Sequence, residues 1–552
     1  MDRNHIILTI LFIFGFLISM QAVSSAEIII GPTDSIQTAI DTANPQDTII
    51  LNTGTYNESN INISKELTLK SVTDNPDDVI IDAQQNSRVI EVLSGANNVK
   101  LQGLTITNGY FDGTWNGDGA GISNKGGTIT QPTQIINCKF TNNNATGEGG
   151  AIYNRGVLTI NNCTLTNNTA DGNGGGISNR GNLTITGSVI QQNTAPSMGG
   201  GIYNLDTMTI TSCTIQQNQA SGGGGILNDG ELTVTGSTIH QNQGDNGGGI
   251  NNFDTLTIIA SVIGQNTAPY GGGIANWNTL NIVGSIIQEN TAEFFGGGLH
   301  NLQGTANITD TTFQLNNAGS GGGMCNWDTL TITSSTIKQN NATSGGGIFN
   351  DHLQDVYGIV DANFNRIVAN TPNAIQSDSG TVNAEYNWWG SNNPNFNALI
   401  TGDVDYISWL VMTYSANSRV ISLGGLSTLN ADFRYDSNGV FHDPAAGHLP
   451  DETPVTFTTN LGNVGSKSIV TGTINGIATA ILRGNEAAGE ALTSARLDNQ
   501  TLTATVTITP TARAASSSTK TIGMQSTGIP LAGIGLAILL VSAGLILPKR
   551  KQ

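Results

Sequence analysis

Cations are scarce in this chain. Lys and Arg total 21 in 552 residues against 40 Asp and Glu, a formal balance of −19, and only 11% of residues are charged. Nucleic acid is thereby excluded as a partner, because a phosphate backbone is held by cationic contacts. Between Arg180 and Lys338 there is no Lys or Arg at all. A polyuronate lyase needs a cation to neutralise the sugar carboxylate and a base to take the α-proton, and this stretch lacks the first. Glycoside hydrolysis needs clustered carboxylates. Those present are scattered: Asp206, Asp229, Asp245, Asp254, Asp310, Asp328, Glu231, Glu289 and Glu293. The four cysteines show no zinc spacing. The residues therefore point to no catalytic centre, no resident metal and no cofactor.

What is abundant is a repeat. GGGIYN at 199–204 recurs as GAGISN at 119–124, GGAIYN at 149–154, GGGISN at 174–179 and GGGILN at 223–228, then as GGGINN, GGGIAN, GGGLHN, GGGMCN and GGGIFN. The closing asparagines are Asn124, Asn154, Asn179, Asn204, Asn228, Asn252, Asn276, Asn301, Asn326 and Asn350, and after a first step of 30 each step is 24 or 25 residues. A fixed period of this size marks a solenoid. Leu-Thr-Ile at 158–160, 183–185, 256–258 and 330–332 alternates apolar and polar residues, the signature of strands. Short strands with Gly/Asn corners predict one coil of a right-handed parallel β-helix per repeat.

Comparing the copies assigns faces. In Ile-x-Asn the outer two positions are fixed and the middle varies, so Ile stacks inward and x points outward. Each asparagine stacks on its copy one coil away, where a side-chain amide is both donor and acceptor. A second asparagine ladder is expected at Asn143, Asn168, Asn193, Asn218, Asn242, Asn266, Asn290, Asn316 and Asn340. The glycines supply φ > 0 and close backbone approach at a tight corner. Cys138, Cys163 and Cys213 share one slot of their coils and read as stacked buried thiols rather than a disulfide, because parallel side chains give poor bonding geometry. Cys325 falls at an outward position. Asp206, Asp254 and Asp328 recur two residues after the asparagine. A calcium ladder and an Asx-turn both fit them, and the uncharged Asn278 at the same place favours the turn.

Phe253, Trp277, Leu302 and Trp327 follow repeat asparagines directly, and Tyr203, His300 and Phe349 occupy the neighbouring outward column. Tyr203, Phe253, Trp277, His300, Trp327 and Phe349 thus form a candidate ligand-binding strip, since exposed aromatics in line can stack on sugar rings. A corner loop covering them is the alternative. N-x-S/T sequons stand at Asn57, Asn62, Asn144, Asn162, Asn167, Asn182, Asn307, Asn341 and Asn499.

The chain divides as follows: 1–26 signal peptide, 27–118 N-terminal cap and irregular first coils, 119–350 regular coils, 351–405 C-terminal coils and cap. Then come 406–510 as a β-sandwich, 511–528 a flexible stalk, 529–547 a transmembrane helix and 548–552 a basic cytoplasmic tail. The leader rests on Arg3 and His5 before an apolar run and Ser24-Ser25-Ala26 at its exit. The span rests on the uncharged run Ile529–Leu547 followed by Lys549, Arg550 and Lys551. SIQTAIDTA, 35–43, predicts a helix capping the open core. NWWGSNNP, 387–394, predicts a plug at the other end carrying Trp388 and Trp389.

Phe140-Thr-Asn-Asn143 followed by GGAI at 149–152 resembles the polymorphic-outer-membrane-protein repeat with its FxxN and GGAI elements. The whole chain resembles the adhesin-like surface proteins of methanogenic archaea, which share the pectin-lyase-like right-handed β-helix. LPDETPVTFTT followed by GIATAIL is similar to a bacterial Ig-like domain of the invasin/intimin kind. These resemblances imply a non-enzymatic, cell-surface protein that adheres to other cells or glycans, is tethered to the membrane by its C-terminal helix and is raised on an Ig-like spacer. A polysaccharide-active enzyme on the same fold and a structural envelope component are the alternatives.

Overall fold

The computed structural model describes residues 25–112 and 119–511. Nearly all of the expected leader, and the expected stalk (save its first residue), span and basic tail, lie outside the described residues. Among the described residues, no helix is long and apolar enough to cross a membrane.

The alternating triplets form three parallel sheets that run along a β-solenoid. Fifteen strands run from Glu27–Ile30 to Thr381–Asn383, thirteen from Gly54–Asn57 to Arg366–Val368, and fourteen from Ile61–Ile63 to Ile400–Gly402. One coil gives the order: Ile202–Asn204 lies in the fourteen-stranded sheet, Met208–Thr211 in the fifteen-stranded sheet and Thr214–Gln216 in the thirteen-stranded sheet. Pairing is in register, Ile177 to Ile202 to Ile226 and Asn179 to Asn204 to Asn228. Every inward residue therefore rests on its own copy, and Ile202, Ile210 and Ile215 belong to one continuous apolar core.

Both asparagine ladders are present and fully buried. Asn204 Nδ2 donates to Asn228 Oδ1 at 2.8 Å and to its own corner through Asp206 O at 2.8 Å. The second ladder is bonded more completely. Asn242 Nδ2 and the Asn242 backbone N–H both donate to Asn266 Oδ1, at 3.1 and 3.0 Å, while Asn266 Nδ2 donates to Ile239 O and Asn290 Oδ1 at 3.0 Å each. No donor or acceptor of these amides is left over, which is the condition for burying them. At Gly199, φ is +65° and a Cβ would lie 2.3 Å from Ile202 O, so the first glycine of the triplet admits no side chain.

The third corner holds a ladder that identity alone conceals. Cys138, Cys163, Ser188, Cys213, Ser237, Ser261, Ser285, Thr311, Ser335, Asn365 and Asn387 occupy one column. Each backbone N–H in it donates to the next side chain: Cys163 N to Ser188 Oγ at 3.0 Å, Ser188 N to Cys213 Sγ at 3.4 Å, Ser335 N to Asn365 Oδ1 at 2.9 Å. The stacked, free thiols are thus acceptor members of a mixed column.

The variable column of Ile-x-Asn points away from the core but is not exposed. Ser178, Tyr203, Leu227, His300, Cys325 and Phe349 are all buried. The loops preceding the glycine triplets fold back over this face and pair with one another. They form a three-stranded strip from Tyr110–Phe111 to Thr169–Ala170, a two-stranded strip of Thr267–Tyr270 and Thr291–Phe295, and a column of single bridges between and beyond. Glu148 of one such loop accepts from Ser178 Oγ at 2.9 Å and pairs with Arg180 at 2.7 Å.

Ile36–Thr42 is a helix, N-capped by Ser35 and burying Ile36, Ala39 and Ile40 against the first coil. Glu58 accepts from the Ile36 and Gln37 backbone N–H groups at 2.7 and 2.9 Å, holding its start. At the other end the two tryptophans divide. Trp389 packs into the solenoid core, whereas Trp388 belongs to a second core with Phe364, Val368, Phe433 and Leu410. Of the two, only Trp389 plugs the solenoid, with Phe396, Tyr406 and Trp409 packed beside it. The second core is enclosed by two sheets. One is Leu410–Ala416, Leu426–Asp436 and Ile477–Arg483, and the other has five strands including Pro454–Thr459, Gly489–Leu497 and Gln500–Thr509. Asp498, between the last two strands, accepts from Trp388 Nε1 at 2.8 Å and from Arg366 Nε at 3.0 Å.

Two outcomes follow for stability. Asn266→Ala leaves the Asn242 N–H and amide without an acceptor, so the denaturation midpoint should fall by the equivalent of about 3 kcal/mol or more, while the exposed Asn307→Ala should stay within about 0.5 kcal/mol. Cys213→Ser should be neutral and Cys213→Val should cost about 1–3 kcal/mol by orphaning the Ser188 N–H. Equal effects of Ser and Val would refute the acceptor role.

Candidate functional site

The overlay loops decide which aromatic residues meet solvent. Tyr203, His300 and Phe349 stand in the covered column, so these three members of the expected strip are corrected to buried. Alternation along the strand placed them on the outer face, but the loops of neighbouring coils close that face. Leu302, also buried, separates Trp277 from Trp327, so the column after the asparagines is interrupted as well.

What remains is two clusters. In the open one, Phe253 is 38% exposed and its ring stacks on half-buried Trp277, with centroids 5.7 Å apart and planes 13° from parallel. In the enclosed one, His300 lies edge-on to Trp327 at 4.4 Å. Phe295 packs on both, at 5.6 Å from His300 and 5.0 Å from Trp327, and Tyr270 stacks on His300 at 6.3 Å. Phe294 leans out of this cluster against Tyr270 and is exposed. Tyr270, Phe294 and Phe295 were not expected in the site. Their signal was the aromatic residues immediately before the triplets in APYGGG and EFFGGG, where most other coils carry Ser, Gly or Asn.

His300 is fully buried, and neither ring nitrogen has a hydrogen-bond partner among the described residues. Burial alone pushes its pKa down to about 3. The indole N–H groups of Trp277 and Trp327 are also without partners. The recurring aspartates turn inward on their own corners: Asp206 accepts from Thr207 N at 2.8 Å, and Asp254 and Asp328 accept from the following threonine hydroxyls at 3.2 Å, as does Asn278. Among the described residues, no group of three or more His, Cys, Asp or Glu side chains is placed to hold a metal ion. The clustered chemistry of this face is aromatic stacking and unpaired polar atoms.

Residues 137–155 and 162–180 match the Chlamydia polymorphic membrane protein (Chlamydia_PMP) repeat. Each match runs from the third-corner ladder residues through the second asparagine ladder to the Ile-x-Asn strand. No curated protein matches the chain. Among solved structures, one described as the crystal structure of pectate lyase Pel9A aligns over 70% of this chain and 78% of its own, at 12% identity and a TM-score of 0.27.

His300 gives a pH dependence of defined sign. Its folded pKa lies near 3 and its unfolded value near 6.5, so below pH 6.5 the unfolded chain binds a proton that the folded chain refuses. Stability should fall by up to about 1.4 kcal/mol per pH unit from this group, levelling off below pH 3. His300→Phe, which copies Phe349 of the same column, should raise the melting temperature at pH 5 more than at pH 8. An equal shift at both values would show that His300 is not the titrating group.

Proposed function

We propose that this chain is a surface-displayed adhesin-like protein whose β-solenoid binds glycans or other cells without catalysis. The observation that carries this reading is the exposed Phe253 ring backed by Trp277, on a solenoid face that gathers aromatic side chains and no converging acids or bases. A flat, supported aromatic plate recognises the C–H face of a sugar ring. Clustered, perturbed acid–base groups would instead mark a catalytic cleft. The two polymorphic-membrane-protein-type repeats support display at a cell surface. In this reading the leader exports the chain, the run 529–547 tethers it, and the two-sheet domain is an Ig-like spacer. The adhesin-like surface proteins of methanogenic archaea are the resemblance that fits best.

The test incubates the purified full-length chain with immobilised polysaccharides and follows both retention of the protein and release of new reducing or unsaturated ends. Retention without release is expected, and the double change Phe253→Ala, Trp277→Ala should abolish it. Release of cleaved ends would replace this reading with an enzyme, and no retention on any polymer or cell would replace it with a structural envelope component.

A further inference from the structure

Beside Phe253 the overlay leaves a groove of about 470 Å³, within the range of small-ligand sites. Its rim follows a column of paired positions on successive loops, Met198, Gly222 and Asn246, and the column continues to Tyr270 beyond it. Gly222 keeps it open. Its φ is not in the left-handed region, yet it carries no side chain where Met198, Asn246 and Tyr270 do. Tyr270 closes the column at the far end by packing on His300. Two coil steps separate Met198 from Asn246, roughly 10 Å, room for a sugar unit.

The floor of the groove holds Asn251, which is 3% exposed and whose Oδ1 has no hydrogen-bond partner among the described residues. The fold does not require an amide there. Leu227 and Ala275 fill the same column one coil before and after, in register. A buried carbonyl oxygen without a donor is costly, and the nitrogen of the same amide lies 3.6 Å from where a Cβ at Gly222 would stand, on the side of the groove. Asp245 adds an exposed carboxylate and Ser197 and Ser221 add hydroxyls. Phe253 forms the apolar wall and Met198, 39% exposed, stands at the rim. The groove thus sets an amide donor, a carboxylate acceptor and two hydroxyls beside an aromatic plate.

Charge narrows the occupant further. No Lys or Arg occurs between Arg180 and Lys338, and burial holds His300 neutral. An anionic ligand would meet Asp245 with nothing to neutralise it. We infer that this groove is a subsite for an uncharged pyranose unit, whose hydroxyl groups accept from the Asn251 amide nitrogen and donate to Asp245 while its C–H face stacks on Phe253. This rests on the glycan-binding reading above and adds to it the class of sugar and the residues that select it.

The experiment uses the full-length chain on immobilised neutral oligosaccharides of glucose, galactose and mannose, and on matched oligosaccharides carrying uronate. Three variants accompany it. Asn251→Leu copies Leu227, Gly222→Met copies Met198 and fills the groove, and Phe253→Ala removes the wall. Asn251→Leu takes the side chain the preceding coil carries, so its melting curve should be unchanged, whereas a Cβ at Gly222 comes within 3.2 Å of Leu227 Cδ1, so the Gly222→Met melting curve is measured and its binding read well below the onset of unfolding. Neutral probes should be retained in preference to uronates, with affinity reduced about tenfold by Asn251→Leu and lost in Gly222→Met and Phe253→Ala. Neutral binding that survives Gly222→Met and Phe253→Ala would overturn the groove while leaving glycan binding intact. Preference for uronates would overturn the uncharged class. Retention of no probe would remove the glycan reading itself, and the subsite with it.

Discussion

The side-chain amide bonded to its copy one coil away is the constraint on which the molecule turns. A corner of a β-solenoid breaks the backbone ladder and leaves polar groups facing a dry interior, where an unpaired group is costly. The asparagine amide meets that demand with two donors and a twice-accepting oxygen: Asn266 Oδ1 takes both the N–H and the amide of Asn242, while its own nitrogen serves Ile239 and Asn290. Such a bond closes only if the next coil offers the same residue at the same register. The repeat length is thereby held to within a few residues, and length variation is pushed into the loops between ladders.

Those loops make the outer covering of the fourteen-stranded sheet. They are free of the ladder requirement, so their residues differ from coil to coil: Glu148 in one, Met198 in another, Tyr270 and Phe295 further along. They pair loosely over the outer side of the fourteen-stranded sheet and decide, coil by coil, whether a side chain beneath is sealed, as His300 is, or left beside an opening, as Asn251 is. Ladders and core set the axis of the solenoid, and the overlay sets its surface.

Much of this was legible in the sequence and some was not, for physical reasons. Period, strand triplets and both asparagine ladders could be read because each depends on residue identity at fixed spacing. The third ladder escaped because its requirement is an acceptor, which Cys, Ser, Thr and Asn all meet, so Cys163 and Ser188 look unrelated although they do one job. For the aromatic strip the sequence carried the positions but not their covering. Alternation states which face a side chain leaves from, and Phe253 and Trp277 do reach the surface. It carries no information on what lies over that face, and Tyr203, His300, Cys325 and Phe349 are covered by segments with little pattern of their own. The groove at Gly222 was unreadable because it is made by a missing side chain in one loop.

The divided tryptophans bear on how the molecule carries load. Trp389 is seated in the solenoid and Trp388, its direct neighbour, in the adjoining two-sheet core, with Asp498 gripping both Trp388 and Arg366. Tension pulling the two-sheet domain off the last coil must extract a tryptophan and break a doubly held carboxylate together, in a single event. Once past it, coils can peel away one at a time, each giving up only its own ladder bonds. The junction therefore yields in one cooperative step, whereas the coils behind it yield one at a time.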